Sequence, residues 1–97
     1  MMEVHQQAKA KNDLKNIWIY TFSEYGEAQA DQYYDELIQA MERLSTNPSI
    51  GIPCDFIRLG YRQYHINKHC IFYRLGKDKI RVVRVLHQSM EFKKHLS

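Results

Sequence analysis

The residues that could do chemistry crowd into the second half of this chain. The last apolar run, Ile80-Arg81-Val82-Val83-Arg84-Val85-Leu86-His87, carries two arginines and ends in a histidine. A β-branched run of this kind belongs in a sheet. Its charges are then either paired inside the domain or offered to an anionic partner. Arg84 suits an internal ion pair, with Asp55 or Glu91 as candidate partners, and Arg81 suits a solvated edge. Arg58 and Arg62 flank Gly60 at what reads as a tight bend. Together these arginines can form one basic surface near a sheet edge. Histidine as a residue type can serve as a general acid or base, but no catalytic ensemble is legible around His87. His65 and His69 are four apart, a metal spacing only on a helix. Here they flank a turn, and Cys70 next to His69 should point to the opposite face. They read as surface or turn side chains. No metal site, phosphate loop or cofactor is expected.

These side chains need elements to position them. Residues 3–7 read as a short edge strand. Ala10, Leu14, Ile17, Trp18, Thr21 and Tyr25 recur at helical spacing, and Gly26 ends that helix. Ala30, Tyr33, Tyr34, Leu37, Met41 and Leu44 form a second stripe, stopped by Asn47-Pro48. Two amphipathic helices with so short a break imply an antiparallel hairpin, with Tyr33 and Tyr34 read as hairpin packing. After Gly51 the chain reads as strands: Tyr61–Ile66, Cys70–Leu75 and Ile80–Leu86, joined by short turns as an antiparallel meander. Ser89 is placed to cap a short helix from Met90 to Leu96. The expected architecture is α+β, a two-helix hairpin packed on a small, mainly antiparallel sheet. Simple alternation sorts Ile80, Val82, Arg84 and Leu86 onto one face of the last strand and Arg81, Val83, Val85 and His87 onto the other. The hairpin can cover one face. The C-terminal segment or a partner chain must cover the other.

With 97 residues and 44% hydrophobic content, the chain suits one modest domain over 1–97. No stretch approaches a membrane span or has the form of a signal peptide, so a cytoplasmic location is expected. Cys54 and Cys70 read as buried or half-buried thiols rather than a bridge. A net charge of +3 is too mild for a nucleic-acid footprint, and no sequence-specific nucleic-acid binding is expected. The charge is nonetheless segregated. Residues 23–47 hold Glu24, Glu27, Asp31, Asp35, Glu36 and Glu42 against Arg43 alone. Residues 58–84 hold Arg58, Arg62, Lys68, Arg74, Lys77, Lys79, Arg81 and Arg84 against Asp78 alone.

Several spaced positions resemble the ParE branch of the RelE/ParE toxin superfamily. They are Asp13-Leu14 and Ile17, Gly26, Leu44-x-x-Asn47-Pro48-x-x-Gly51, Asp55-x-x-Arg58-x-Gly60-x-Arg62, His69-x-Ile71-Phe72-Tyr73 and the closing strand to His87. The similarity runs from about residue 8 to 90. It implies the toxin of a type II toxin–antitoxin pair, one that binds DNA gyrase in its DNA-cleaved state without being an enzyme. It also implies a ParD-like antitoxin whose disordered segment folds on the toxin, across the hairpin and beside the sheet. On that basis Arg58, Arg62, Arg81, Arg84, His87, Met90 and Glu91 are candidates for target binding. Leu14, Trp18, Tyr33, Leu37 and Arg74 are candidates for antitoxin binding. The chain departs from the pattern at Gln6-Gln7, which replaces a Ser/Thr-Pro helix start and leaves the first helix without an evident N-cap. The alternative is a RelE-like, ribosome-dependent mRNA endonuclease. RNA cleavage needs an activator for the 2′-hydroxyl, a proton donor and cations for the phosphorane-like charge. Only His87 is at hand: no tyrosine follows the last strand, and Cys70 starts the strand where several nucleases place an arginine.

Overall fold

The computed structural model describes residues 2–96. In chain order the elements are β1 (Glu3–Gln6), α1 (Ala8–Tyr25), α2 (Glu27–Thr46), β2 (Ile52–Pro53), β3 (Tyr61–Ile66), β4 (His69–Leu75), β5 (Lys79–His87) and α3 (Phe92–Leu96). The sheet order is β1-β5-β4-β3-β2. β1 runs parallel to β5, and every other pairing is antiparallel. The expected α+β architecture is present. β2 is an additional edge of two residues, too short to leave a periodic signal.

The hairpin turns on a single residue. Gly26 adopts φ +93°, a region open to glycine, and its amide closes the last turn of α1 on the Phe22 carbonyl at 2.9 Å. The helices then run back along each other, as the Trp18 indole N–H shows by reaching Asp31 Oδ1 at 2.9 Å. α1 begins at Gln7 without a side-chain cap, the gap expected from Gln6-Gln7. α2 ends at Asn47, before Pro48. The next turn is pinned by Tyr73, whose hydroxyl accepts from the Gly51 amide at 2.9 Å and donates to the Pro48 carbonyl at 2.8 Å. A Cβ at Gly51 would lie 2.6 Å from that hydroxyl, so glycine is required there.

Each face of the sheet has its own core. Leu14, Leu37, Met41 and Leu44 of the hairpin pack on Ile71, Tyr73, Ile80, Val82 and Val85. The opposite face gathers Cys54, Tyr61, Cys70, Phe72 and Leu86 under Leu96 of α3. Phe92 meets Phe72 edge-on with centroids 4.8 Å apart. The C-terminal segment is thus the second cover. It differs from expectation at its start: Ser89 turns back to His87, and the helix begins at Phe92. Both cysteines are buried free thiols, and burial pushes their pKa values up.

Simple alternation along β5 fails at one point. Tyr73 pairs with Val82 and Phe72 with Arg84, so Val83 is an extra residue in a β-bulge. The bulge inverts everything after it. Ile80 and Val82 share the helical side with Val85, while Leu86 joins Val83 on the other side. Arg84 lies inside the bulge, and its partner is Asp13 of α1 rather than Asp55 or Glu91. Nε donates to Asp13 Oδ2 at 2.7 Å and Nη2 to Oδ1 at 2.9 Å. β1 has ended by this point, and the Val85 amide also finds its acceptor in Asp13 Oδ2, at 3.0 Å.

One carboxylate therefore serves a guanidinium and a strand amide, with side-chain exposures of only 16% for Arg84 and 11% for Asp13. Removing one member of such a pair strands the other. Asp13→Ala should lower the unfolding free energy by about 2–4 kcal/mol, read from urea unfolding. Asp13→Leu combined with Arg84→Met should recover part of that loss. A cost below about 1 kcal/mol for Asp13→Ala would show that the pair does not hold the bulge.

Candidate functional site

Three of the candidate arginines serve acceptors within the protein, and two of them, Arg58 and Arg84, line one pocket with Lys9 and His95. Arg84 is held by Asp13, and its Nη1 donates to the His95 carbonyl at 3.2 Å. Its pKa is raised, chiefly by the hydrogen bonds to Asp13. Arg58 donates from Nη1 to the Leu96 carbonyl at 2.9 Å and lies over the Tyr61 ring. Arg62 donates to the Gly51 carbonyl at 3.2 Å. Arg58 and Arg84 thus hold the final carbonyls of α3, where a helix leaves acceptors unmet and favours cations.

Arg81 is different. It lies opposite Arg74 on β4, with His5 of β1 as its other neighbour. Alternation around Tyr73, Ile80 and Val82 sets these side chains on the face away from the hairpin. Like charges directly opposite in a sheet are unfavourable. Among the described residues the ion pairs are Arg84–Asp13 and Lys94–Glu91, so neither Arg74 nor Arg81 has a carboxylate partner. Sequence reasoning assigned Arg81 to the target and Arg74 to the antitoxin. As cross-strand neighbours, they would be met together by a single partner. In the tail, Met90 is exposed and Glu91 pairs with Lys94 at 3.3 Å.

The hairpin carries a groove of about 490 Å³ lined by Gln6, Lys11, Leu14, Lys15, Trp18 and Tyr34. Trp18 stacks on Phe22 at 5.2 Å, which fixes its ring at the groove wall. Leu14 is the nearly buried floor. Leu37 is fully buried in the core and offers a partner no surface, which corrects its place among the contact residues. Lys11, Lys15 and Tyr34 are the lining residues that sequence reasoning passed over. The signal was present in the i, i+4, i+7 spacing of Lys11, Lys15 and Trp18 beside the apolar stripe.

Tyr33 belongs elsewhere. Its hydroxyl contacts His69 Nδ1 at 2.5 Å. Burial raises the Tyr33 pKa, so the hydroxyl keeps its proton. His69 and His87 are cross-strand partners with edge-to-face rings 5.2 Å apart. His87 Nδ1 accepts from the Ser89 amide at 3.1 Å and lies 2.7 Å from its hydroxyl. This bond puts the proton of a neutral His87 on Nε2. The cluster is a hydrogen-bonded line, Tyr33–His69 beside His87–Ser89. Among the described residues, no three His, Cys, Asp or Glu side chains converge on a metal position.

The fold defines a class: a small α+β domain in which a helical hairpin rides on a five-stranded sheet. A solved structure titled a chromosomal ParDE TA system from P. aeruginosa superposes with a TM-score of 0.80 at 20% identity, covering 90% of this chain and 96% of that one. The E. coli DinJ-YafQ complex superposes at 0.55 and 14% identity, over 92% and 96%. Sequence carries the family. Residues 4–92 match the family model described as the ParE toxin of type II toxin-antitoxin system, parDE. "Toxin ParE1" of Mycobacterium tuberculosis is 46% identical over 88 residues, 90% of each chain. "Toxin ParE1" of Caulobacter vibrioides is 40% identical over 88 residues, 91% of each. The chain belongs to the ParE toxin family of type II toxin–antitoxin systems. No helix among the described residues is long and apolar enough to cross a membrane.

Burial lowers the His69 pKa to about 4 from 6.5, assisted by His87 and opposed by Asp13. A histidine kept neutral by the fold binds fewer protons than the unfolded chain does. Its contribution to stability is complete above about pH 6.5 and is lost as pH falls toward about 4. His69→Gln should flatten the pH dependence of stability within that window, measured by urea unfolding at several pH values. An unchanged slope would remove His69 as its source.

Proposed function

We propose that this chain arrests growth by binding DNA gyrase in its DNA-cleaved state, as a binder rather than a catalyst, and that a ParD-like antitoxin neutralises it. The observation that carries this reading is family membership across residues 4–92. The surfaces support it. The hairpin groove offers an aromatic wall at Trp18 and Tyr34 with basic residues at Lys11 and Lys15. That chemistry suits an acidic amphipathic segment folding into place. Arg74 and Arg81 offer uncompensated positive charge to an acidic partner. Of the residues put forward for target contact, Arg81, Met90 and His87 keep that role. Arg84 is better assigned to holding its segment, since Asp13 pairs it, whereas Arg58 and Arg62 are bonded to backbone carbonyls and keep a charge with no carboxylate partner among the described residues.

The same assignments weigh against mRNA cleavage. A ribonuclease centre on His87 would need a free cation beside it to stabilise the phosphorane-like charge. Its ring neighbour is His69, which burial keeps neutral.

Purified protein with gyrase and supercoiled DNA should accumulate linear DNA, and induction should switch on an SOS reporter while transcripts stay intact. Codon-biased mRNA cuts abolished by His87→Ala would favour the nuclease instead. Growth arrest without linear DNA would remove gyrase as the target. Separately, Trp18→Ala should weaken antitoxin binding by about tenfold or more, measured by titration calorimetry. An unchanged affinity would place the antitoxin outside the groove.

A further inference from the structure

Residues 54–60, between β2 and β3, form a tightly tied tip. Cys54 is fully buried at its root, and its carbonyl accepts from the amides of Ile57 at 2.9 Å and Arg58 at 3.1 Å. Its own amide donates to the Tyr61 carbonyl at 2.9 Å, and the Tyr61 amide returns to the Arg58 carbonyl at 3.1 Å. Asp55 Oδ1 accepts from the Gly60 amide at 2.7 Å. A loop so fixed has no evident need for large apolar side chains on its outside. Yet Phe56 is 73% exposed and Leu59 is 86% exposed. Scattered exposed apolar residues are ordinary, but two on one short, internally bonded loop give it an exposed apolar tip. At its base stand Arg58 and Arg62, bonded to backbone carbonyls and unpaired with any carboxylate among the described residues.

We infer that this tip is a docking knob for a folded protein that presents an apolar pocket with an acidic rim. The shape separates it from the antitoxin surface. A segment that folds on binding lies along grooves, whereas a rigid knob needs a hollow that already exists. Little ordering entropy is lost when a preformed loop docks, and aromatic residues are favoured as anchors. This inference rests on the gyrase reading above, and the hollow then belongs to gyrase.

The test compares wild-type protein with Phe56→Ser/Leu59→Ser for binding to gyrase by surface plasmon resonance. Tyr20→Ser, 61% exposed on α1, serves as the apolar control. Both altered side chains lie outside the core, so the double variant should keep its melting temperature and its antitoxin affinity. Gyrase affinity should fall about tenfold or more, with Tyr20→Ser unchanged. Wild-type binding that the double variant retains overturns this inference alone. Absence of wild-type binding overturns the gyrase reading together with it. An equal loss of antitoxin affinity overturns the separation of the two surfaces.

Discussion

Asp13 and Arg84 join the three parts of this molecule that the backbone alone leaves separate. β1 stops at Gln6, and α1 departs from it at once. β5 continues past that point with a bulge, where a strand loses regular partners. The Asp13 carboxylate meets the loss by accepting from the Val85 amide and from Nε and Nη2 of Arg84. The remaining arm of Arg84 reaches the His95 carbonyl in α3. Helix, strand and C-terminal cover are thereby referenced to one ion pair. Pairs of this kind add little net stability over a well-packed apolar substitute, because desolvation offsets the attraction. Their larger effect is on geometry, since a planar fork accepts few arrangements. Here that geometry sets the bulge, and the bulge decides which β5 side chains enter which core.

The second core shows why this constraint matters for so small a protein. A five-residue helix has no independent stability in water, so α3 exists only because it is held. Phe92 and Leu96 supply apolar anchorage on Phe72 and Leu86. Burying such a side chain contributes about 1.5–3 kcal/mol. Arg58 and Arg84 supply donors for carbonyls at the helix end. Arginines that in sequence resemble an interaction patch are therefore partly the means by which one sheet face is closed. Arg74 and Arg81 are different: they face each other across the sheet with no carboxylate partner among the described residues.

How much of this was legible in advance follows from the range over which each signal acts. The hairpin was readable because the 3.6-residue period and the Gly26 and Asn47-Pro48 stops are local. β3 was readable to its ends because turns bound it. The bulge was not, since Val83 differs in no way from its neighbours and the register depends on β4. The partner of Arg84 was sought at Asp55 and Glu91, near in sequence or strand. Yet Asp13 stood in the buried stripe itself, between Ala10 and Leu14, and an acid at such a position calls for a cation. Leu14 and Leu37 were assigned to a partner because periodicity marks the apolar face without saying which residues on it the sheet has already covered.

The hairpin groove and the Arg74–Arg81 pair would serve recognition through different physics, and the difference bears on how one small toxin could meet two partners. The groove supplies apolar area, which gives affinity with little dependence on salt. The arginine pair is charge near the surface of the sheet, which speeds encounter and is screened by salt. An antitoxin segment long enough to leave the groove and cover Arg74 would also cover Arg81, because the two are cross-strand partners. Relief of their repulsion would then be gained by whichever partner arrived with carboxylates. Neutralisation would need no change in the toxin's shape, only prior occupation of a site where, among the described residues, its charge has no carboxylate partner.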